Sequence, residues 1–192
     1  MLIAYTGEAT RVRIPAEIGG IPVKILYEPR PQHLYKSLFG GKSIDVVQIP
    51  ESVTYIGKSV FYKNRLGSVT IPKSVTYIGE EAFEGNQLAS ITIPESVTFI
   101  GNYAFRNNKI TSVTIESKNL TLGISVFFSM HARVAEITIV SNVQFNGSLG
   151  VIGTPTSFEK TYNDGGKKAG TYIGVLTPRT GNRDSTYTWK LQ

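Results

Sequence analysis

Histidine and aspartate are the residues of this chain with the clearest capacity for catalysis or metal binding. The sequence contains His33, His131, Asp45, Asp164 and Asp184, and no cysteine. Two histidines without cysteine or a ligand-spaced acidic cluster do not predict a zinc centre. No nucleophile-elbow motif surrounds a serine, so no serine hydrolase site is indicated. We therefore expect a chain that is not an enzyme and that uses neither a metal ion nor a cofactor.

A short glycine-rich segment resembles the end of a phosphate-binding loop. Residues 40–43 read Gly-Gly-Lys-Ser. The full motif requires a second glycine five residues before Gly41, because the backbone of the whole loop surrounds the phosphates. Lys36 occupies that place. The segment therefore predicts no nucleotide site.

The positive charge of the chain lies outside its central part. The formal net charge is +6, but residues 44–140 contain eight basic and eight acidic residues. Residues 1–43 and residues 141–192 each contain six basic and three acidic residues. Nucleic-acid binding would need a concentrated basic surface, and this distribution does not predict one. No apolar run of 18 residues is present, so we expect no membrane insertion, and the first residues do not resemble a signal peptide.

The central part of the chain is a repeat. Similar segments begin at Ile49, Ile71, Ile93 and Ile115, 22 residues apart, and read IPESVTYIGKSVF, IPKSVTYIGEEAF, IPESVTFIGNYAF and IESKNLTLGISVF. Glycine recurs in this register at Gly57, Gly79, Gly101 and Gly123. The phenylalanine spine recurs in it at Phe39, Phe61, Phe83, Phe105 and Phe127. A constant period of this length predicts stacked structural units, none of which can bury its apolar side chains alone.

Each unit reads as one β-coil. In SVTIP, Val69 and Ile71 alternate with Ser68 and Thr70, which predicts a half-buried strand. The proline after it ends the strand, because proline donates no backbone hydrogen bond. SVTYIG predicts a second short extended segment, and the phenylalanine that follows enters the interior. Residues 11–15 predict an earlier strand, and TYIGVL and STYTWKL predict a hairpin near the end.

The repeat unit LxxVTIPxSVTxIGxxAFxxN resembles the BspA-like (Treponema pallidum type) leucine-rich repeats of bacterial surface proteins. The resemblance covers residues 44–140 strongly and residues 1–43 through YTGEATRVRIPAEIGGIPV, and FEKTYNDGGKKAGTY resembles a closing segment. It implies a curved parallel-β solenoid used for adhesion and protein contact. The family often has cysteine three residues after the phenylalanine, where this chain has the asparagine column, Asn64, Asn86 and Asn108. These asparagines are expected to be buried and to bind turn backbone groups.

The resulting fold prediction is a mainly β, right-handed leucine-rich-repeat solenoid with a parallel β-sheet, 22-residue coils and atypical capping ends. We expect an N-terminal cap and irregular first repeat at residues 1–43, leucine-rich repeats at 44–140 and a C-terminal cap at 141–192. The caps are needed because an uncovered terminal coil would expose apolar side chains and unpaired strand donors.

The outward row of the first strand is the main candidate binding surface. We call it the hydroxyl strip: Gln48, Ser68, Thr70, Ser90, Thr92, Ser112, Thr114 and Thr138. Stacked small hydroxyl side chains make a flat surface that can hydrogen-bond to a partner, and solenoids usually bind on their concave side. The alternative is that serine and threonine simply suit exposed strand positions.

The second candidate surface is the aromatic column, Tyr55, Tyr77 and Phe99, with Leu122 expected next. The resemblance implies that this position is exposed. Such side chains could contact a protein, stack on sugar rings or only stack on one another to stabilise the coils. The sequence thus predicts a non-catalytic protein-binding or adhesion module of an extracellular or cell-surface protein. A carbohydrate-binding module and a structural spacer for a neighbouring domain stay as alternatives.

Overall fold

The computed structural model describes residues 8–27, 37–129, 134–140, 144–146, 162, 164–177 and 186–192. His33, His131 and Asp184 lie outside them. Strands β1 to β7 span Arg11–Arg13, Glu17–Ile18, Ile21–Pro22, Ile25–Leu26, Val46–Gln48, Tyr55–Ile56 and Tyr77–Ile78. Strands β8 to β15 span Ser90–Ile93, Phe99–Ile100, Ser112–Ile115, Asn119–Leu122, Glu136–Ile139, Gln144–Asn146, Gly170–Thr177 and Thr186–Leu191.

Each coil contributes to two sides of the stack. One side is a six-stranded sheet in the order β13-β11-β9-β7-β6-β4, in which all neighbouring strands are parallel. On the other side β8, β10 and β12 pair in parallel, and β1 pairs in parallel with β5. Residues 22 apart are register partners, as Tyr77 is for Tyr55. The predicted mainly β, parallel solenoid of 22-residue coils is confirmed. Its right-handed turn stays a prediction.

The core follows the repeat. All five rings of the phenylalanine spine are buried. Successive rings stack at centroid distances of 5.4, 5.2, 5.3 and 5.3 Å. Aliphatic side chains of both strand rows, such as Ile56 and Ile93, are fully buried around this spine. Because each coil covers the apolar row of the next, burial of about 1.5–3 kcal/mol per large side chain becomes available only in the stack.

The asparagine column holds the turns of neighbouring coils together, as predicted. Asn86 is 5% exposed, and its Oδ1 accepts a hydrogen bond from the Leu66 backbone nitrogen at 3.1 Å. Its Nδ2 donates to the carbonyl oxygens of Phe61 and Phe83 at 2.9 and 3.0 Å. Asn64 and Asn108 make the equivalent contacts in their own coils. A side chain with both a donor and an acceptor therefore satisfies buried backbone groups that no strand reaches.

Both ends of the described stack depart from the repeat. β1 lies 35 residues before its partner β5, with Arg11 opposite Val46, so the earlier strand predicted at residues 11–15 is confirmed for residues 11–13. At the other end β14 pairs antiparallel with β12, and β15 pairs antiparallel with β14. The predicted hairpin strands are therefore present, and they extend the sheet of β12. The domain boundaries at residues 43 and 140 stay predictions.

Each coil also contains residues in the left-handed region. One such position recurs at Ser59, Glu81, Tyr103 and Ser125, with φ between 51° and 59°. A second is Lys63 with φ of 50°, followed 22 residues later by Gly85 with φ of 72° and then by Asn107 with φ of 54°. For residues with a Cβ this conformation costs about 1–2 kcal/mol, and glycine avoids that cost.

The Lys63 position offers a direct test of this cost. We expect Lys63→Gly to raise the free energy of unfolding by about 1 kcal/mol, and Gly85→Ala to lower it by a similar amount. The two positions are equivalent in consecutive coils, so each substitution serves as the control for the other. Urea unfolding monitored by circular dichroism measures both. A loss of stability in Lys63→Gly would contradict the expectation.

Candidate functional site

The hydroxyl strip is most regular on β8, β10 and β12. Ser90 is the register partner of Ser112, which is opposite Glu136 on the next strand. A second row runs beside it and consists of Thr92, Thr114 and Thr138. The inward residues between these rows, including Ile91 and Val113, are buried. Alternation along each strand therefore presents the hydroxyl groups on one surface.

The hydroxyl groups of this strip differ in what they contact. Ser112 Oγ lies 3.4 Å from Glu136 Oε1, and Thr138 Oγ1 lies 3.2 Å from Thr171 Oγ1. The side chains of Ser90, Thr92 and Thr114 form no hydrogen bond with a described residue. Ser90 and Thr92 are also exposed. A partner could therefore hydrogen-bond to these hydroxyls without first breaking a bond within the protein.

The strip continues onto β14, which the repeat pattern did not include. Thr171 is the register partner of Thr138, so the threonine row gains a fourth member. The signal was present in the sequence as the predicted strand TYIGVL, but its partner could not be chosen. An antiparallel strand after an irregular connection has no fixed 22-residue offset, so sequence spacing does not determine its register.

The N-terminal part of the strip is interrupted, which corrects the prediction for Ser68 and Thr70. Both side chains are exposed as expected, but residues 67–71 belong to no strand and make no described backbone hydrogen bond. The row therefore breaks between β5 and β8. Gly67 stands where Asp45 and Thr111 donate the bonds that open their ladders. Glycine holds the extended conformation less firmly, which weakens pairing at this coil.

Gln48 lies on the separate two-stranded sheet, opposite Arg13. It is exposed and lines a shallow cleft of about 480 Å³ together with Arg13 and residues 14–17, 49 and 50. Since Ser68 and Thr70 carry no ladder, Gln48 is not continuous with the hydroxyls of β8. The strip divides into an N-terminal part around Gln48 and a C-terminal part from Ser90 to Thr171.

The aromatic column lies on the six-stranded sheet. The rings of Tyr55 and Tyr77 stack with a centroid distance of 4.4 Å and an angle of 6°. Tyr77 and Phe99 stack at 4.7 Å and 5°. All three side chains are half-buried. Both faces of the Tyr77 ring are thus covered by its neighbours, and only ring edges remain for a ligand. Each stacked pair contributes about 0.5–1.5 kcal/mol to the stability of the coils.

The fourth place in this column was assigned wrongly. Thr121, not Leu122, is the register partner of Phe99. Leu122 pairs with Ile100 and is 5% exposed, so it belongs to the core. The error arose because the less regular fourth repeat was aligned by its appearance and not by the 22-residue offset. At the other end the exposed Ile25 is opposite Tyr55 and extends the apolar row.

Glu84 is the one described acidic side chain in the buried set, at 9% exposed. Burial raises the pKa of Glu84 above its ordinary 4.5, and the positive charge of Arg106 offsets this only in part. The Arg106 Nε atom lies 3.9 Å from the carboxylate, which is long for an ion pair. The guanidinium instead lies over the Tyr103 ring, 5.0 Å from its centroid. This arrangement is structural, because no second titratable group forms a catalytic pair with Glu84.

Glu84 should make stability depend on pH. Because its pKa is raised in the folded chain, the folded state binds the proton more tightly than the unfolded state. The stabilisation by the protonated form is complete below the ordinary pKa of 4.5 and is lost as the pH rises through the raised value. Relative to the natural chain, Glu84→Gln should therefore gain stability between about pH 4 and about pH 7, as measured by urea unfolding. A relative loss over that interval would contradict this sign.

Other kinds of site were searched for in the same part of the chain. Within the described residues, no group of three or more histidine, cysteine, aspartate or glutamate side chains could hold a metal ion. No helix among them is long and apolar enough to cross a membrane. The geometry thus offers surfaces for contact and no assembled set of reacting groups among these residues.

Two sides of paired strands, wound in 22-residue coils around one phenylalanine spine, define a β-solenoid repeat protein. The BspA-type leucine-rich repeat region matches residues 32–149 in six copies, and the chain belongs to this family. Leucine-rich-repeat domains generally mediate protein interactions.

A crystal structure of a leucine-rich repeat protein from Bacteroides ovatus is similar to this chain, with 21% sequence identity and a TM-score of 0.38. The similarity covers 73% of this chain and 61% of that one. No curated protein matches the sequence.

Proposed function

We propose that this chain is a non-catalytic protein-binding module, used for adhesion by a bacterial surface or secreted protein. The single observation that carries the proposal is the C-terminal part of the hydroxyl strip. There Ser90, Thr92 and Thr114 are held in register on paired strands with their hydroxyl groups uncommitted. The extracellular or cell-surface location is proposed from membership of the BspA-type family.

The chemistry of this strip suits a protein surface. Threonine and serine hydroxyls both donate and accept hydrogen bonds, and their methyl and methylene groups can pack against a partner. They lose little side-chain entropy on binding because they are short, so less of the interaction energy is offset. The rows are flat and rigid, because the inward neighbours Ile91 and Val113 are fixed in the core. This favours an extended protein contact over a small molecule in a pocket.

The carbohydrate alternative would use the aromatic column. Sugar rings stack on free aromatic faces, and the Tyr77 faces are covered by Tyr55 and Phe99. We therefore prefer the protein ligand.

The proposal is tested with the whole chain immobilised on a sensor surface. Purified extracellular-matrix proteins and purified bacterial surface proteins are passed over it one at a time, with a glycan array as the parallel test of the carbohydrate alternative. The proposal predicts saturable binding of at least one protein. Saturable binding to glycans with none to any protein would overturn it, and so would no binding in either experiment.

A further inference from the structure

The strand β1 has one unpaired edge. Through its other edge it pairs with β5, and among the described residues no strand pairs with the outer side of Arg11–Arg13. The backbone N–H and C=O groups on such an edge are available to another extended segment. Addition of a partner strand to a sheet edge is a common mode of peptide recognition, because backbone hydrogen bonds supply affinity and alternate side chains supply specificity.

The side chains of β1 give this edge a definite preference. Arg11 and Arg13 are exposed on one face, while Val12, on the other, is 8% exposed and packs in the core. Neither guanidinium group forms a hydrogen bond or an ion pair with a described residue. Side chains two residues apart on a strand lie about 6.6 Å apart on the same face. A partner strand with acidic residues at alternate positions would place one carboxylate beside each arginine.

The arginine pair also argues against a second copy of the chain as the occupant. Two β1 strands placed edge to edge would bring like charges together, which is unfavourable for directly opposed side chains. The corresponding outward residues of the other coils are uncharged at Val46, Gln48, Ser68 and Thr70. The positive pair is therefore confined to the coil that has the open edge. It repels a second copy and attracts an acidic segment, so both effects select the same kind of partner.

We propose that the outer edge of β1 binds an extended acidic segment of a partner protein as an added strand. The segment has the pattern Glu-Val-Glu: its acidic residues pair with Arg11 and Arg13, and its valine continues the buried row of Val12. This site lies apart from the C-terminal part of the hydroxyl strip. Its failure would leave the proposed protein-binding function of that strip unaffected.

The test uses a fluorescently labelled peptide with Glu-Val-Glu at its centre and threonine on either side. Its fluorescence anisotropy is measured against the full chain, against Arg11→Glu with Arg13→Glu, and against Arg65→Glu with Lys109→Glu. The last variant makes the same change in net charge at exposed positions away from β1. We expect binding to the natural chain, about tenfold weaker binding to the β1 variant and unchanged binding to the control. A Lys-Val-Lys peptide should bind the β1 variant better than the natural chain.

A peptide with N-methylated backbone at the central residues tests strand addition itself, because it cannot donate the backbone hydrogen bonds. We expect it to lose binding. Equal binding of the methylated peptide, an equal loss in both charge-reversal variants, or no binding of the acidic peptide to the natural chain at about 1 mM would each overturn the proposal. Circular dichroism checks folding, and Arg11→Gln with Arg13→Gln replaces the reversed pair if that variant does not fold.

Discussion

Replacing Gly101 by alanine should lower the free energy of unfolding by about 3 kcal/mol. A Cβ atom at this position would lie 2.5 Å from the Glu80 backbone nitrogen and 2.7 Å from the Gly79 carbonyl carbon. The Gly101 nitrogen also donates to the Ile78 carbonyl oxygen at 2.8 Å, so the coils cannot separate without weakening that bond. Backbone atoms cannot rotate away as a side-chain tip can, and the whole rung must shift.

Gly67→Ala is the matched control for this substitution. No heavy atom lies within 4 Å of the place that a Cβ would take at Gly67, and its φ is not in the left-handed region. We expect a change within about 0.5 kcal/mol, or a small gain from the lower entropy of the unfolded chain. Urea unfolding of both variants measures the difference. Similar losses at the two sites would show that close approach of the coils is not what requires Gly101.

Asn86→Leu should also be strongly destabilising, by about 3 kcal/mol or more. The substitution keeps a side chain of similar size but removes the partner of three backbone groups. These are the Leu66 nitrogen and the carbonyl oxygens of Phe61 and Phe83. Each unpaired buried polar group costs about 1–3 kcal/mol, and the apolar gain from leucine offsets only part of that total.

The control for this prediction is Asn102→Leu. Asn102 Oδ1 also accepts a backbone hydrogen bond across coils, from the Ile124 nitrogen at 2.8 Å, but that bond is exposed. Water can replace the lost partner there, so we expect a loss below about 1 kcal/mol. Thermal and urea unfolding of the two variants compare them directly. An equal effect at both positions would mean that the asparagine column is not needed to satisfy buried backbone groups.

The sequence predicted the repeat and its interior because both depend on regular spacing. Phe61, Phe83 and Phe105 occupy one register, and a side chain that must enter the core in every coil can do so only in such a register. Asn86 could be predicted for the same reason, since an amide at each turn matches a recurring need for a donor and an acceptor. The strand at residues 11–13 was found from its alternation, although its partner β5 lies outside the 22-residue period.

The features that sequence could not give depend on how neighbouring coils meet. SVTIP at residues 68–72 closely resembles the segments before and after it, yet its backbone makes no ladder. Tyr77 was expected to present a flat ring, but its faces are covered because the strand spacing of about 4.8 Å nearly equals the thickness needed for stacking. Thr171 was missed because an antiparallel strand after an irregular connection has no fixed offset. Left-handed residues such as Glu81 carry no glycine signal.

The affinity for the protein ligand found in the binding panel, measured for two matched variants, tests the central claim most directly. Thr92→Arg with Thr114→Arg places bulk and charge on the hydroxyl strip. Thr76→Arg with Thr98→Arg makes the same change at exposed positions beside the aromatic column. We predict that the first pair weakens binding at least about tenfold, a loss of about 1.4 kcal/mol, and that the second pair leaves it unchanged. Unchanged binding in the first pair, with both proteins folded, would contradict the assignment of this surface.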